Sequence, residues 1–422
     1  MSYWILVCAW MFDYQAAGQG EGLDLQLVLL AIYGFALTVF TVGHIGGRVK
    51  VRWLDSMVVL GLLYLTVGTL SGIASRDPIY PLLRNGLGAF VYLSAAYATA
   101  RVMAETDSTK LRSMLAKVCL PYVVAAFLIY NFNSGGIDYA KVRYQIIGAS
   151  SMAALGYLVL STMFRLSPLQ MVTLLVNLAV LLISVTRTFL VSLVAEFLIV
   201  ASGLRHFLSR RLIFAGGLFL AIAVSGFVFA GDQVARWQYR LGGPGGNEMI
   251  RDQTLFTRMS EWDFMYRSWT GSPGNFLMGS GFNARTQYFN PTELGGGEEY
   301  MIGFGHNQHL SMLFNAGSLG GLPLLALMFW FGWMAIRFLR TAAQTPAARS
   351  DAIFLGAWGA TIVIGTLISD FFAASFILRG QALWYGIGTG LLLGAQARFD
   401  PVNAWFYGSR KPPAPQEQRA AG

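Results

Sequence analysis

Apolar residues run through this chain in blocks of roughly twenty separated by shorter polar stretches, and about twenty apolar residues is the length a helix needs to cross a bilayer core. The blocks fall near 25–43, 53–72, 79–100, 114–131, 146–163, 168–185, 188–204, 212–230, 308–336, 352–371 and 377–396. A further one, Ser2 to Phe12, is short for a span unless it extends into Asp13 and Tyr14. No basic residue precedes its apolar part, which argues against a cleaved signal peptide. Backbone polar groups in lipid must be satisfied within their own segment, so blocks of this length predict helices. The pattern therefore predicts an all-α, polytopic transmembrane bundle of about twelve spans: helices one to nine in residues 1–230, helices ten to twelve in 308–396, and a tail over 397–422.

Residues 231–307 break the pattern and form the one sizeable polar segment, expected as a mainly helical loop domain. Gly242 to Gly246, with Pro244, and Gly295 to Gly297 punctuate it. Between them Leu255, Met259, Trp262, Tyr266 and Trp269 recur at steps of four and three, the stripe of an amphipathic helix. Arg251 and Arg258 border that stripe, and a stripe packed on the bundle would aim Arg258 at the bundle's mouth; a solvated Arg258 paired with Glu261 is the alternative. Leu277 to Phe282 reads as a tight glycine turn beneath this helix.

Charge sets the orientation. Only 12% of residues are charged and mean hydropathy is strongly positive. One alternate set of loops carries Arg48, Lys50, Arg52, Arg101, Lys110, Arg112, Arg165, Arg205, Arg210, Arg211, Arg337, Arg340 and Arg349, and the tail adds Arg410 and Lys411. By the positive-inside rule these loops are cytoplasmic, which puts 231–307 on the outer face. The net charge of +9 is then a topogenic signal and calls for no nucleic acid. Cys8 and Cys119 both fall in apolar blocks, so neither a disulfide framework nor a metal-binding cysteine spacing is present.

The chemistry gathers where the polar segment meets the next apolar block, at Gly305-His306-Asn307-Gln308-His309. Histidine takes and returns a proton near neutral pH, and two of the chain's four lie here. At the start of a helix the His306 ring would sit among the N–H groups of the first turn, which attract anions. Asn307 is expected to cap that helix or orient His306. His309 follows three residues later, but no third ligand clusters nearby, so no metal is expected. Gly317 and Gly320 make a small-residue face for close packing, with Pro323 bending the helix beyond. Elsewhere, Arg84 lies about a turn inside its span, either reaching for the interface or facing an internal polar cavity. Arg187 sits in a tight outer turn between two apolar blocks, where its charge should meet protein, water or an anion.

His306-Asn307, nine residues, Gly317, two residues, Gly320 resembles the signature of the O-antigen ligase and surface-polysaccharide polymerase superfamily. The preceding outer loop, the Gly279 to Phe282 turn, Arg258 four residues before Trp262, and Arg187 at an outer span end agree with it over about residues 180–335. One departure is Val191, where ligases often carry leucine four residues after the arginine. The resemblance implies a cofactor-free, metal-independent glycosyltransferase of the bacterial inner membrane with its site facing the periplasm. It implies an undecaprenyl-diphosphate-linked glycan as donor and lipid A-core, or in a polymerase another lipid-linked glycan, as acceptor. His306 would be the catalytic base or a diphosphate ligand, Arg187 and Arg258 the diphosphate clamp, and Asn307, His309, Gly317, Gly320 and Arg84 supporting residues.

Two rival classes stay in view. A different lipid-phosphosugar glycosyltransferase would use an acid in the first outer loop, where Glu21 and Asp24 lie. A transporter or flippase for lipid-linked glycans would need substrate-facing charges near the midplane of several spans. Glu196 and Asp370 read as isolated, with Arg205 a candidate partner for Glu196.

Overall fold

The computed structural model describes residues 1–11, 23–44, 49–133, 149–184, 187–203, 217, 253–290, 298–302, 305–344, 350–377 and 379–399. The block at 212–230 apart from Gly217, the glycine runs at 242–246 and 295–297, Glu21, Arg205, Arg251 and the tail beyond 399 lie outside the described residues.

The chain is mostly helical. In order come α1 (Ser2–Cys8), α2 (Leu23–Gly43), α3 (Leu54–Ala74), α4 (Ile79–Glu105), α5 (Ser108–Asn133), α6 (Ala149–Ser161), α7 (Pro168–Ser184) and α8 (Arg187–Gly203). Then follow α9 (Gln253–Thr270), α10 (Pro273–Met278), strands β1 (Thr286–Asn290) and β2 (Glu298–Ile302), α11 (Gln308–Ala316), a π turn (Gly317–Gly321), α12 (Leu322–Gln344), α13 (Asp351–Ser369) and α14 (Arg379–Phe399). Among the described residues, four helical stretches are long and apolar enough to cross a membrane: 54–74, 82–105, 308–344 and 351–369. Shorter apolar helices cover 27–43, 152–161, 168–179 and 188–202. The helix at Ser2 is seven residues, too short to span, and Asp24 lies inside α2 and not in a loop.

The centre of the bundle is the pair α4 and α14. They run parallel, because Arg379 at the start of α14 donates to the Arg84 carbonyl near the start of α4 while Arg398 donates to Thr106 at its end. Small residues allow the close approach: a Cβ on Gly386 would lie 2.4 Å from the Tyr92 carbonyl oxygen, and one on Gly390 2.6 Å from that of Ala96. α13 packs on α14, α12 and α6, and α8 lies against α12 and α13. Ser192 near the start of α8 donates to the Gly365 carbonyl near the end of α13, and Ser202 near its end accepts from Arg340 near the end of α12, so α8 runs antiparallel to α13 and parallel to α12.

One end of the bundle carries residues 253–290, 298–302 and 305–309. Here the expected mainly helical domain also holds an antiparallel hairpin, with Thr286 opposite Ile302 and Asn290 opposite Glu298. The hairpin packs on α9, where Ser260 Oγ accepts the Phe289 N–H at 3.0 Å. The glycine turn lies as expected. Gly279 and Gly281 adopt φ of +74° and +89°, and Ser280 and Gly281 donate to the carbonyls of Phe314 and Asn315 at the end of α11. Phe282 then inserts between α3 and α4, edge-on to Tyr64.

Candidate active site at one end of the bundle

Three segments converge at this end: α9, the stretch 305–311, and the connection 370–379 between α13 and α14. α11 begins at Gln308, where the apolar block of the sequence begins. Asn307 is its N-cap, with Oδ1 accepting the Leu310 N–H at 3.0 Å, so His306 stands just before the helix and its ring is not among the first-turn N–H groups.

Instead the ring meets a carboxylate. His306 Nδ1 lies 2.9 Å from Glu261 Oε2, and the His306 backbone N–H donates to the same carboxylate at 3.2 and 3.3 Å. Thr286 Oγ1 donates to Glu261 Oε1 at 2.9 Å. The Glu261 side chain is 1% exposed and that of His306 32%, so the carboxylate is enclosed and the imidazole reaches the surface. An ionised carboxylate only accepts, so against it Nδ1 is the donating nitrogen of the ring. Helix, strand and motif thus hold one ring orientation.

The face of α9 that turns inward differs from the apolar stripe. Met259 and Tyr266 are more than half exposed, whereas Glu261 and Met265 are buried and Trp262 is tilted on the Phe372 ring. The polar residues of the site occupy positions that an amphipathic pattern would fill with apolar ones. Arg258 reaches the mouth of the bundle, as expected of a packed helix, and donates to the Phe372 carbonyl; it does not pair with Glu261. Arg187 opens α8, whose direction puts that residue at the same end as His306; the side chain of Arg187 lies outside the described residues.

The connection 370–379 holds the motif in place. Gln308 donates its backbone N–H to the carbonyls of Asp370 and Ala373, both at 2.9 Å, and its Oε1 accepts from Phe376 N at 3.1 Å. Asp370 is not isolated: its carboxylate accepts the Ser375 hydroxyl at 2.8 Å and the Ser375 N–H at 3.3 Å. Burial pushes the Asp370 carboxyl well above the usual carboxylate range, against the opposing pull of those two bonds.

His309 faces away from His306. It lies buried between Phe329 and Phe371, with Nε2 3.0 Å from the Leu367 carbonyl. The described residues contain no group of three or more His, Cys, Asp or Glu able to hold a metal. Gly317 and Gly320 do pack closely, Gly320 against Tyr64 and Val67 of α3 and Gly317 against Leu277 and Gly279. They do so by breaking the helix: Gly317 has φ of +58° and opens the π turn, so the interruption falls before Pro323. Arg84 lines a cavity under the motif together with Asn85 and Arg379. Glu196 is buried beside Met152 and Gly365, with Oε2 lacking a partner among the described residues.

Sequence reasoning treated Glu261 as a possible surface partner of Arg258, and passed over Thr286 and Arg379. The usable signal for Glu261 was its place one turn after Arg258 on a helix of otherwise interpretable periodicity. Nothing local marked Thr286, because its role arises from the pairing of β1 with β2 and the packing of β1 on α9. No family model and no curated protein sequence matches this chain.

Proposed function

We propose that the protein is a membrane glycosyltransferase that moves a lipid-diphosphate-linked glycan onto a sugar hydroxyl, in the manner of O-antigen ligases and polymerases. The observation that carries this is the enclosed Glu261 carboxylate holding the His306 ring by Nδ1 at the mouth of an apolar bundle. An oriented neutral imidazole is suited to withdraw the proton from an acceptor hydroxyl as it attacks the anomeric carbon, a contribution of about 10² to 10⁴ in rate. The leaving diphosphate carries the charge released as the C1–O bond breaks, and guanidinium groups bind phosphate oxygens in bidentate fashion. Arg258, beside the pair on α9, and Arg187, at the start of α8, would supply that clamp. With no carboxylate assigned as nucleophile, the reaction is a single displacement that inverts the anomeric centre.

On this reading the bundle lies in the bacterial inner membrane with His306 at the periplasmic face and the basic ends of α4, α5 and α14 in the cytoplasm. A lipid A-core acceptor makes the protein a ligase, and a second lipid-linked glycan makes it a polymerase.

The test uses purified full-length protein with an undecaprenyl diphosphate glycan, lipid A-core or a second lipid-linked glycan as acceptor, and EDTA throughout. Transfer that survives EDTA and falls at least about 10²-fold in His306→Ala is the expected result. A His306→Ala protein of full activity, or glycan crossing liposomes with no covalent product, contradicts it, the latter in favour of the transporter.

A further inference from the structure

The lengths of two helices fix where this end of the bundle meets the bilayer. α3 has 21 residues and α12 has 23, rises of about 31 and about 34 Å, so each alone crosses a hydrocarbon core of about 30 Å. Both meet α10 at this end. Ser71, in the last turn of α3, donates to the Met278 carbonyl, and a Cβ added to Gly281 would lie 2.5 Å from the Gly72 backbone. The π turn that leads into α12 packs on α10, with Gly317 against the Leu277 carbonyl. α10 therefore lies beside the bundle at the level where the apolar core gives way to headgroups.

The outward side of this region is apolar. Phe276 and Leu277 of α10 are 44% and 53% exposed, and their neighbours on the spans, Leu70 and Ile73 of α3 and Leu319 and Leu322 at the π turn, are about half exposed. The end of α9 folds down onto α10: the Trp269 ring stacks on Phe276 at 5.3 Å, and its Nε1 donates to the Phe276 carbonyl at 3.1 Å. Tyr266, more than half exposed, stands edge-on to Trp269. Rings with an apolar body and one polar atom are what a bilayer boundary collects. The charges of this part of α9, Asp263 and Arg267, pair with each other at 2.9 Å on the adjoining sector, both more than half exposed.

We propose that α10 and the end of α9 form an interfacial anchor, with Tyr266, Trp269, Phe276 and Leu277 seated at the headgroup boundary of the leaflet at this end of the bundle. The occupant is lipid, because the patch continues the exposed apolar flanks of α3 and α12 and α10 carries no charge. The anchor accounts for the outward apolar stripe on α9. It needs the bundle to lie in a membrane and does not need the glycosyl-transfer reading. Its consequence is positional: Glu261 stands about two turns before Trp269 on the same helix, so the bilayer surface sets the height of the Glu261 and His306 pair.

The test places single spin labels on full-length Cys8→Ala, Cys119→Ala protein in phosphatidylcholine nanodiscs and measures collision with oxygen, which enters lipid, and with a water-soluble nickel chelate. Leu277→Cys is expected to favour oxygen severalfold, as Ile73→Cys on α3 should, whereas Asp263→Cys should favour nickel severalfold. Tyr266→Cys serves as a second position if Leu277→Cys does not fold. Nickel access at Leu277 equal to that at Asp263 overturns the anchor. An immobilised Leu277 label shielded from both reagents overturns it too, in favour of a protein surface on the patch. Nickel access at Ile73 would remove the membrane itself from this level. Loss of glycan transfer in His306→Ala leaves all three collision patterns unchanged, so the two readings fail separately.

Discussion

At the scale of single residues, the site depends on a few side chains that break the apolar pattern around them. Glu261 is the clearest: a carboxylate 1% exposed survives in that position because three donors, from Thr286 and twice from His306, satisfy it. The sequence made His306 and Asn307 legible, since a histidine with a capping residue at a polar-to-apolar boundary is a local feature. It could not show Glu261 as the partner of His306, because the two stand 45 positions apart and are brought together only by packing. Asn307 offers a local check. Its side chain satisfies one N–H of the first turn of α11, so Asn307→Ala should cost about 1 kcal/mol of stability, read as a lower thermal midpoint in detergent. An unchanged midpoint would mean that the cap is frayed in solution.

At the scale of elements, periodicity located most helices and misjudged one face. The blocks near 53–72, 79–100, 114–131 and 352–371 correspond to α3, α4, α5 and α13, because about twenty apolar residues leave little choice. The block at 308–336 looked continuous, yet the backbone breaks at Gly317 to Gly321 so that α10 and the glycine turn can press against it. A Cβ at Gly317 would lie 2.3 Å from the Leu277 carbonyl oxygen, and φ there is +58°. Gly317→Ala should therefore destabilise the protein by roughly 1–3 kcal/mol. Gly274→Ala, at a position where an added Cβ meets only Ser272 Oγ at 3.9 Å, should be near neutral. Equal thermal midpoints for the two variants would contradict the interruption. The stripe on α9 failed for a related reason: site residues displaced apolar ones from the buried face, and Met259 and Tyr266 were left outward.

At the scale of the whole molecule, the two ends of the bundle differ in kind. At the far end Arg112 pairs with Asp351 at 2.8 Å, stacks on Phe354, and donates to the Arg165 carbonyl, tying α5, α13 and the connection between α6 and α7. These arginines belong to the loops that the charge distribution assigns together, and Arg84, His306 and Arg379 gather at the opposite end. That two-ended arrangement was legible because Lys and Arg fall in alternate loops. The composite site was not, since it draws on α9, the hairpin, the motif and the connection before α14. The central claim is that Glu261 and His306 act as one proton-handling unit, and a double-mutant cycle on single-turnover glycan transfer tests it most directly. The account predicts that Glu261→Gln and His306→Ala each slow transfer by about 10²-fold or more, and that the double variant is no slower than His306→Ala alone. Losses that multiply in the double variant, or a Glu261→Gln rate equal to wild type, would contradict it.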